Sequence, residues 1–264
     1  MWKSIILITA FSVLVFGGFE IYSLVVDQSV ETIVDDQSAA STSPKGGEVV
    51  PGGLLAEKSS PKYQGQALRN IGNDPVVKTL TDEIVATKKA ELNKFAEIAE
   101  KNFSDGSAWL KISEIKKFFN NYKGSVDALE YLKLLSPDDF LVNLNLGNLY
   151  GFYLKDYKKA EQNFANAMNH SGGAQLAEAI SALADLYKDF YKEKYDQVDD
   201  LLLVGIEAVP NDVNLVMKLA FYYKETGNKE GAIQSFERLL SMRGFLTGAQ
   251  QKAFEDEIVA LKQS

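Results

Sequence analysis

One pattern of residues is written about three times between Phe140 and Leu240, and it limits the fold more than any other feature of the chain. One copy holds Leu146-Gly147-Asn148-Leu149-Tyr150, then Lys155-Asp156-Tyr157-Lys158-Lys159-Ala160, then Phe164 and Ala167. The next holds Leu183-Ala184 and Tyr187, then Tyr195 and Val198, then Leu202, Gly205 and Pro210. The third holds Leu219-Ala220 and Tyr223, then Gly227 and Ala232, then Phe236 and Leu239. In each copy a large apolar residue is followed directly by a small one, and a tyrosine comes three positions later. A polar turn and a second apolar series complete the unit.

The spacing predicts two antiparallel helices per copy. Leu219, Ala220 and Tyr223 fall on one face of a first helix, and Ala232, Phe236 and Leu239 on one face of a second. Small residues let two backbones approach, and aromatic rings fill the remaining space. Gly227-Asn228 is a stop signal for the first helix. Pro137-Asp138-Asp139 and Pro210-Asn211-Asp212 lie between copies, where proline ends one helix and an Asp or Asn caps the next.

These residues resemble the tetratricopeptide repeat family. The third copy has the family's form of about 34 residues. The first departs by about one extra residue between Gly151 and Asp156, and the second by about two between Lys188 and Lys194. The resemblance spans about 100 of the 264 residues. It implies an all-α fold, a helical-hairpin α-solenoid whose first helices line a concave groove for an extended peptide or a partner helix. Carried over residue by residue, the groove positions are Leu144, Asn148 and Phe152, then Ser181, Asp185 and Lys188, then Met217, Phe221 and Lys224. Some members of the family bind a C-terminal carboxylate through clustered Lys, Arg and Asn. Here Asn148 occupies one such position, but Leu144 and Asn214 replace basic residues. The groove implied is a mixed one, with apolar contacts from Phe152, Met217 and Phe221 beside opposite charges.

Composition narrows the function. Hydrophobic content of 46% and charged content of 24% describe a globular protein. A net charge of −8 argues against nucleic-acid binding, which needs a Lys/Arg surface for the phosphates. The chain has no cysteine, which removes disulfides, thiol catalysis and Cys-ligated metals together.

Residues 1–26 read as an N-terminal transmembrane anchor. Lys3 is the only charge before an uncharged run from Ile5 to Phe19, and Ile21 to Val26 is mostly apolar again. Trp2 and Tyr22 are spaced to sit at the two headgroup levels of one spanning helix, about 30 Å apart. Glu20 then lies within a turn of the outer interface. Lys3 precedes the span and Asp27, Glu31, Asp35 and Asp36 follow it. The positive-inside rule therefore places the N-terminus in the cytoplasm and the rest across the membrane. A cleaved signal peptide is the competing reading, with Val15-Phe16-Gly17 as its weak cut site.

Residues 27–73, rich in Ser, Gly, Ala and Asp, read as a flexible linker. Residues 74–105 read as a leading helix from Pro75 to Phe103. Asp74 is its cap, and Val77, Leu80, Ile84, Leu92, Phe95, Ile98 and Ala99 form its apolar stripe. The repeat domain is expected over 106–264. Ser107 to Leu135 reads as a degenerate helix pair with its turn at Lys123-Gly124. Its first helix, striped by Trp109, Ile112, Ile115, Phe118 and Phe119, lacks the leucine–small–tyrosine order. Thr247 to Lys262 reads as a closing helix with Ala253-Phe254, Ile258-Val259 and Leu261 on its inner side.

Chemistry-bearing residues are sparse. His170 is the only histidine, and no Cys, second His or acidic cluster stands at ligand spacing around it. Asp138-Asp139 and Asp199-Asp200 are adjacent pairs, which a helix points about 100° apart. No catalytic residue, metal site or cofactor is expected. The expected function is a non-enzymatic, single-pass membrane-tethered scaffold. It binds a peptide or partner protein in a membrane or envelope assembly, and it does not bind nucleic acid. The alternative is a structural subunit whose repeats pack permanently in a multi-protein or homo-oligomeric complex.

Overall fold

In a computed structural model the described residues run from 61 to 263. The expected membrane anchor at 1–26 and most of the expected linker lie outside them. Among the described residues no helix is long and apolar enough to cross a membrane, and none is a strand.

The described chain is all-α. Ten α-helices follow one another: α1 (Asp82–Lys101), α2 (Gly106–Phe118), α3 (Tyr122–Leu135), α4 (Phe140–Asn148), α5 (Tyr157–Asn169), α6 (Gly173–Asp185), α7 (Val198–Ala208), α8 (Val213–Glu225), α9 (Lys229–Ser241) and α10 (Gly248–Gln263). Helices α2 to α9 pair as four successive hairpins, each packed on the next, with α1 leading and α10 closing the row.

Local chemistry starts nearly every helix. Asp105, Asp139, Asp156 and Asp212 accept from the backbone amides of Ala108, Val142, Lys159 and Leu215, which heads α2, α4, α5 and α8. Asn121 and Asn228 do the same for α3 and α9. Thr247 and Gln250 cap each other at the head of α10: the Thr247 hydroxyl accepts from the Gln250 amide, and the Gln250 side chain accepts from the Thr247 amide.

The surplus residues in the first two copies have a definite place. After α4 the chain widens into a π-turn, Leu149–Tyr153, closed by the Leu154 amide on the Leu149 carbonyl at 3.0 Å. After α6 the same happens over Leu186–Phe190, closed by Tyr191 on Leu186 at 2.7 Å. A wider turn holds an additional residue without rotating the buried face away from its neighbour. The second copy adds a 3₁₀ turn, Lys192–Gln197, before α7. The third copy has no surplus, and α8 ends in an ordinary turn with Gly227 at φ +79°.

Small residues sit where the hairpins close. A Cβ at Gly147 would stand 2.7 Å from the ring of Phe164 on α5, and one at Gly205 would stand 2.9 Å from Ile180 on α6. Leu146, Phe164, Leu202 and Phe236 are fully buried, while Tyr157, Tyr195 and Tyr223 are half-buried against the core.

Four expectations need correction. The leading segment is not one helix. Pro75–Thr79 is a 3₁₀ turn headed by Asp74, Leu80 is extended, and Thr81 caps α1 afresh. Ile84 on that helix is exposed, and burial begins at Leu92. The turn between α2 and α3 falls at Phe119–Asn121, with Asn120 at φ 55°. Lys123-Gly124 therefore lies in the first turn of α3, where Asn121 caps it. On α10 Phe254 and Ile258 are buried, but Ala253 and Val259 face outward.

The fourth concerns the end of the expected linker. From Pro61 to Asn73 the chain lies as a non-helical strap across α2 and α3, bent at Gly65-Gln66 and turned at Ala67–Asn70, where the Asn70 amide donates to the Ala67 carbonyl at 2.9 Å. The Tyr63 ring packs on Trp109 and Tyr131, at centroid distances of 4.9 and 5.6 Å, and Leu68 is buried. The strap's composition gives no apolar period, but its backbone finds fixed partners.

Candidate functional site: the exposed side of the first helices

The first helix of each hairpin is α2, α4, α6 or α8. Aligning their buried faces sets Leu219-Ala220, Leu183-Ala184 and Leu146-Gly147 beside Ile112-Ser113 on α2, all buried or nearly so. The degenerate first hairpin thus keeps the large–small order, and Lys116 stands where the later copies carry tyrosine. The expected groove positions of the later copies then have counterparts on α2 at Leu110, Glu114 and Lys117.

The expected groove residues divide into two groups. Toward the C-terminal end Ser181, Asp185, Lys188 and Lys224 are engaged by residues of the neighbouring hairpin or of α10. Asn214 donates to the Ser181 hydroxyl at 3.0 Å. Lys218 ion-pairs with Asp185, and Lys188 with Glu225 at 2.9 Å. Lys224 bonds both oxygens of Glu257 on α10, at 2.8 and 2.7 Å. Burial pushes the Asp185 carboxyl up, and Lys218 opposes this. At Lys188 burial depresses the amine, but Glu225 more than offsets it. Met217 is half-buried, and Phe221 is exposed with its ring edge-on to Phe236 at 5.4 Å.

Toward the N-terminal end the expected positions are Leu144, Asn148 and Phe152. Leu144 is buried in the core, so it offers little surface. Asn148 and Phe152 are half-buried, and Phe152 meets Phe190 edge-on at 5.1 Å. Here the surface opens into a cavity of about 280 Å³ lined by Glu114, Lys117, Phe118, Asn120, Tyr122 and Tyr153. The rings of Tyr122 and Tyr153 lie 4.4 Å apart. The Lys117 amine sits 5.4 Å from the Tyr153 ring centre, and burial holds its pKa below the usual lysine value. The cavity offers an aromatic wall with one cation and one anion at its rim. It suits a side chain and adjoining backbone of a peptide better than a reacting small molecule.

Sequence reasoning missed Glu114, Lys117, Tyr122 and Tyr153. The signal was present in Ile112-Ser113, whose phase points to Glu114 and Lys117. The lysine at position 116 hid it by breaking the tyrosine pattern.

Among the described residues no group of three or more His, Cys, Asp or Glu stands at metal-binding distance. The His170 ring contacts the Asn166 carbonyl at 2.9 Å through Nδ1 and the Asp138 carboxylate at 3.4 Å through Nε2, at the end of α5. Asp139 caps α4, and Asp199 and Asp200 lie in the first turn of α7, where the helix dipole favours negative charge. No protein-family model matches the chain, and no curated protein matches it.

Proposed function

We propose that this chain is a non-enzymatic scaffold of tetratricopeptide type, tethered to a membrane through residues 1–26. Its first-helix face holds an extended peptide or a partner helix. The observation that carries this reading is the asymmetry of that face. The C-terminal half closes on itself through Lys218–Asp185, Lys188–Glu225 and Lys224–Glu257, while the N-terminal half leaves the Tyr122–Tyr153 cavity open to solvent. A peptide then contacts Phe118, Tyr122, Tyr153 and Phe152 through apolar groups, and Lys117 and Glu114 fix its polar backbone or ends. The repeated Leu–small–Tyr order supports the family assignment, and the uncharged run Ile5 to Phe19 supports the tether.

Cross-linking in intact membranes, followed by mass spectrometry, tests this directly. A defined partner joined near Lys117 and Lys155, and lost in Phe152→Ser and Lys117→Glu variants that still fold, is the expected result. Links only between copies of this chain overturn it in favour of a self-assembling structural subunit.

A further inference from the structure

The strap at Pro61–Asn73 is held in an unusual way. Lys116 is fully buried, and its amine donates to the carbonyls of Ala67 at 3.1 Å and Asn70 at 3.0 Å. Asp127 accepts from the Gln66 amide at 2.9 Å. Asn121 donates to the Asn70 carbonyl and to the Gln66 side chain, both at 3.1 Å. Most of these bonds are to the strap's backbone. Among its side chains Leu68 is the one that is buried, and a crevice of about 460 Å³ runs beside Tyr63, Leu68 and Phe103.

The corresponding tyrosines of the next two hairpins bond a glutamate of the preceding second helix. At Lys116 a buried cation replaces the tyrosine and serves only the strap. Burying an amine for two carbonyls is a poor stabiliser beside an apolar side chain of similar size. It is a good receptor for the two backbone carbonyls at the ends of a turn. Gly65 sharpens the selection, because a Cβ there would stand 2.5 Å from the Asp127 Cβ. The strap leaves the cleft through Gly72, at φ +78°, just before Asp74 fixes the next turn.

We propose that the cleft between Tyr63's partners Trp109 and Tyr131 and the Lys116 amine is a binding site for a peptide segment that turns as Ala67–Asn70 does, filled in this conformation by the chain's own strap, and that its second occupant is the strap of another copy of this chain. Exchange about Gly72 recovers every contact in the partner, which makes reciprocal swapping a low-cost route to a dimer. The strap is self-complementary to the cleft by construction, so no other chemistry is required of the partner.

The chain lacks cysteine, so introduced thiols report without background. Arg69 on the strap and Glu100 on α1 form an exposed ion pair that marks the docked state. Full-length R69C and E100C chains, differently tagged, are mixed and treated with a short bis-maleimide. The R69C/E100C double variant, which closes within one chain, is the control. The expected result is a cross-linked heterodimer that rises severalfold when Gly65→Val in the E100C chain expels that chain's own strap. It falls again when Lys116→Met is added. The proposal is overturned if the double variant closes internally while the mixed chains stay uncross-linked with the cleft emptied. A heterodimer yield indifferent to Lys116→Met also overturns it.

Discussion

The Tyr150 hydroxyl donates to the Glu130 carboxylate at 2.8 Å, joining the end of one first helix to the second helix of the hairpin before it. Tyr187 repeats the bond one hairpin later, on Glu161. A lysine lies over each ring, Lys159 at 4.8 Å and Lys194 at 6.0 Å. The tyrosines of the first two copies are thus ties between hairpins as well as core residues. Burial, aided by the glutamate, holds both phenols protonated beyond their ordinary range.

Removing that tie should cost a hydrogen bond without opening a cavity. Tyr150→Phe is expected to lower stability by about 1–2 kcal/mol, the loss of a bond to a charged acceptor. Urea denaturation measures it. An unchanged midpoint would mean that Glu130 is satisfied by water alone.

Close approach at Gly147 makes a sharper prediction. Gly147→Ala drives a methyl group toward the Phe164 ring, and overpacking of this kind costs about 1–3 kcal/mol. Gly244→Ala, where nothing lies within 4 Å, is the control and should shift the thermal midpoint little. Equal effects at the two positions would show that α4 and α5 can part to admit the methyl.

Stability should depend on pH through Lys116. Burial lowers its pKa from 10.5 to about 8, opposed in part by Asp127. Above pH 8 the folded chain has released this proton while the unfolded chain still binds it, so stability rises with pH. The gain is at most about 3 kcal/mol by pH 10.5. Lys117, also lowered by burial, adds in the same direction. Above pH 10 the raised phenols of Tyr63, Tyr150 and Tyr187 act oppositely, because the unfolded tyrosines ionise first. Denaturation between about pH 8 and pH 10 should therefore show a rising midpoint, and Lys116→Met should flatten most of it.

The bridges along the first helices should be modest and salt-sensitive. A double-mutant cycle of Asp185→Asn and Lys218→Met is expected to give a coupling of roughly 0.5–1 kcal/mol, which shrinks in high salt. A coupling that survives high salt would place the pair in a drier setting than its side-chain exposures of 42% and 24% imply.

Much of the architecture is legible in residue order. Leu219-Ala220-x-x-Tyr223 carries its own face, and Asp139, Asp212 and Asn228 mark where helices begin. What hid the rest was local replacement. Lys116 in a tyrosine position disguised the first hairpin as degenerate. Thr81 supplied a second cap that split the leading segment, and Asn120 accepted a left-handed backbone that moved a turn away from Gly124. The strap was illegible for a different reason. Its contacts are carbonyls and amides, which every residue has, so no side-chain pattern announces them. The expected groove positions, on α4, α6, α8 and the two π-turns, could be placed from phase, but which of them would be engaged by Lys218, Glu225 or Glu257 depends on the offset between hairpins, and no single copy contains that offset.

The two π-turns bear on how such a chain can be altered. Each holds a surplus residue at the seam between a first and a second helix, and the buried faces on either side keep their alignment. A ruler laid along the sequence drifts, since equivalent leucines fall at Leu146, Leu183 and Leu219, while a compass around the helix axis does not. The exposed residues that follow each turn, Leu154-Lys155 and Lys192-Glu193, are therefore the natural splice points, where length can be gained or lost by small steps, or a reporter grafted, while the buried residues of the turns stay in place.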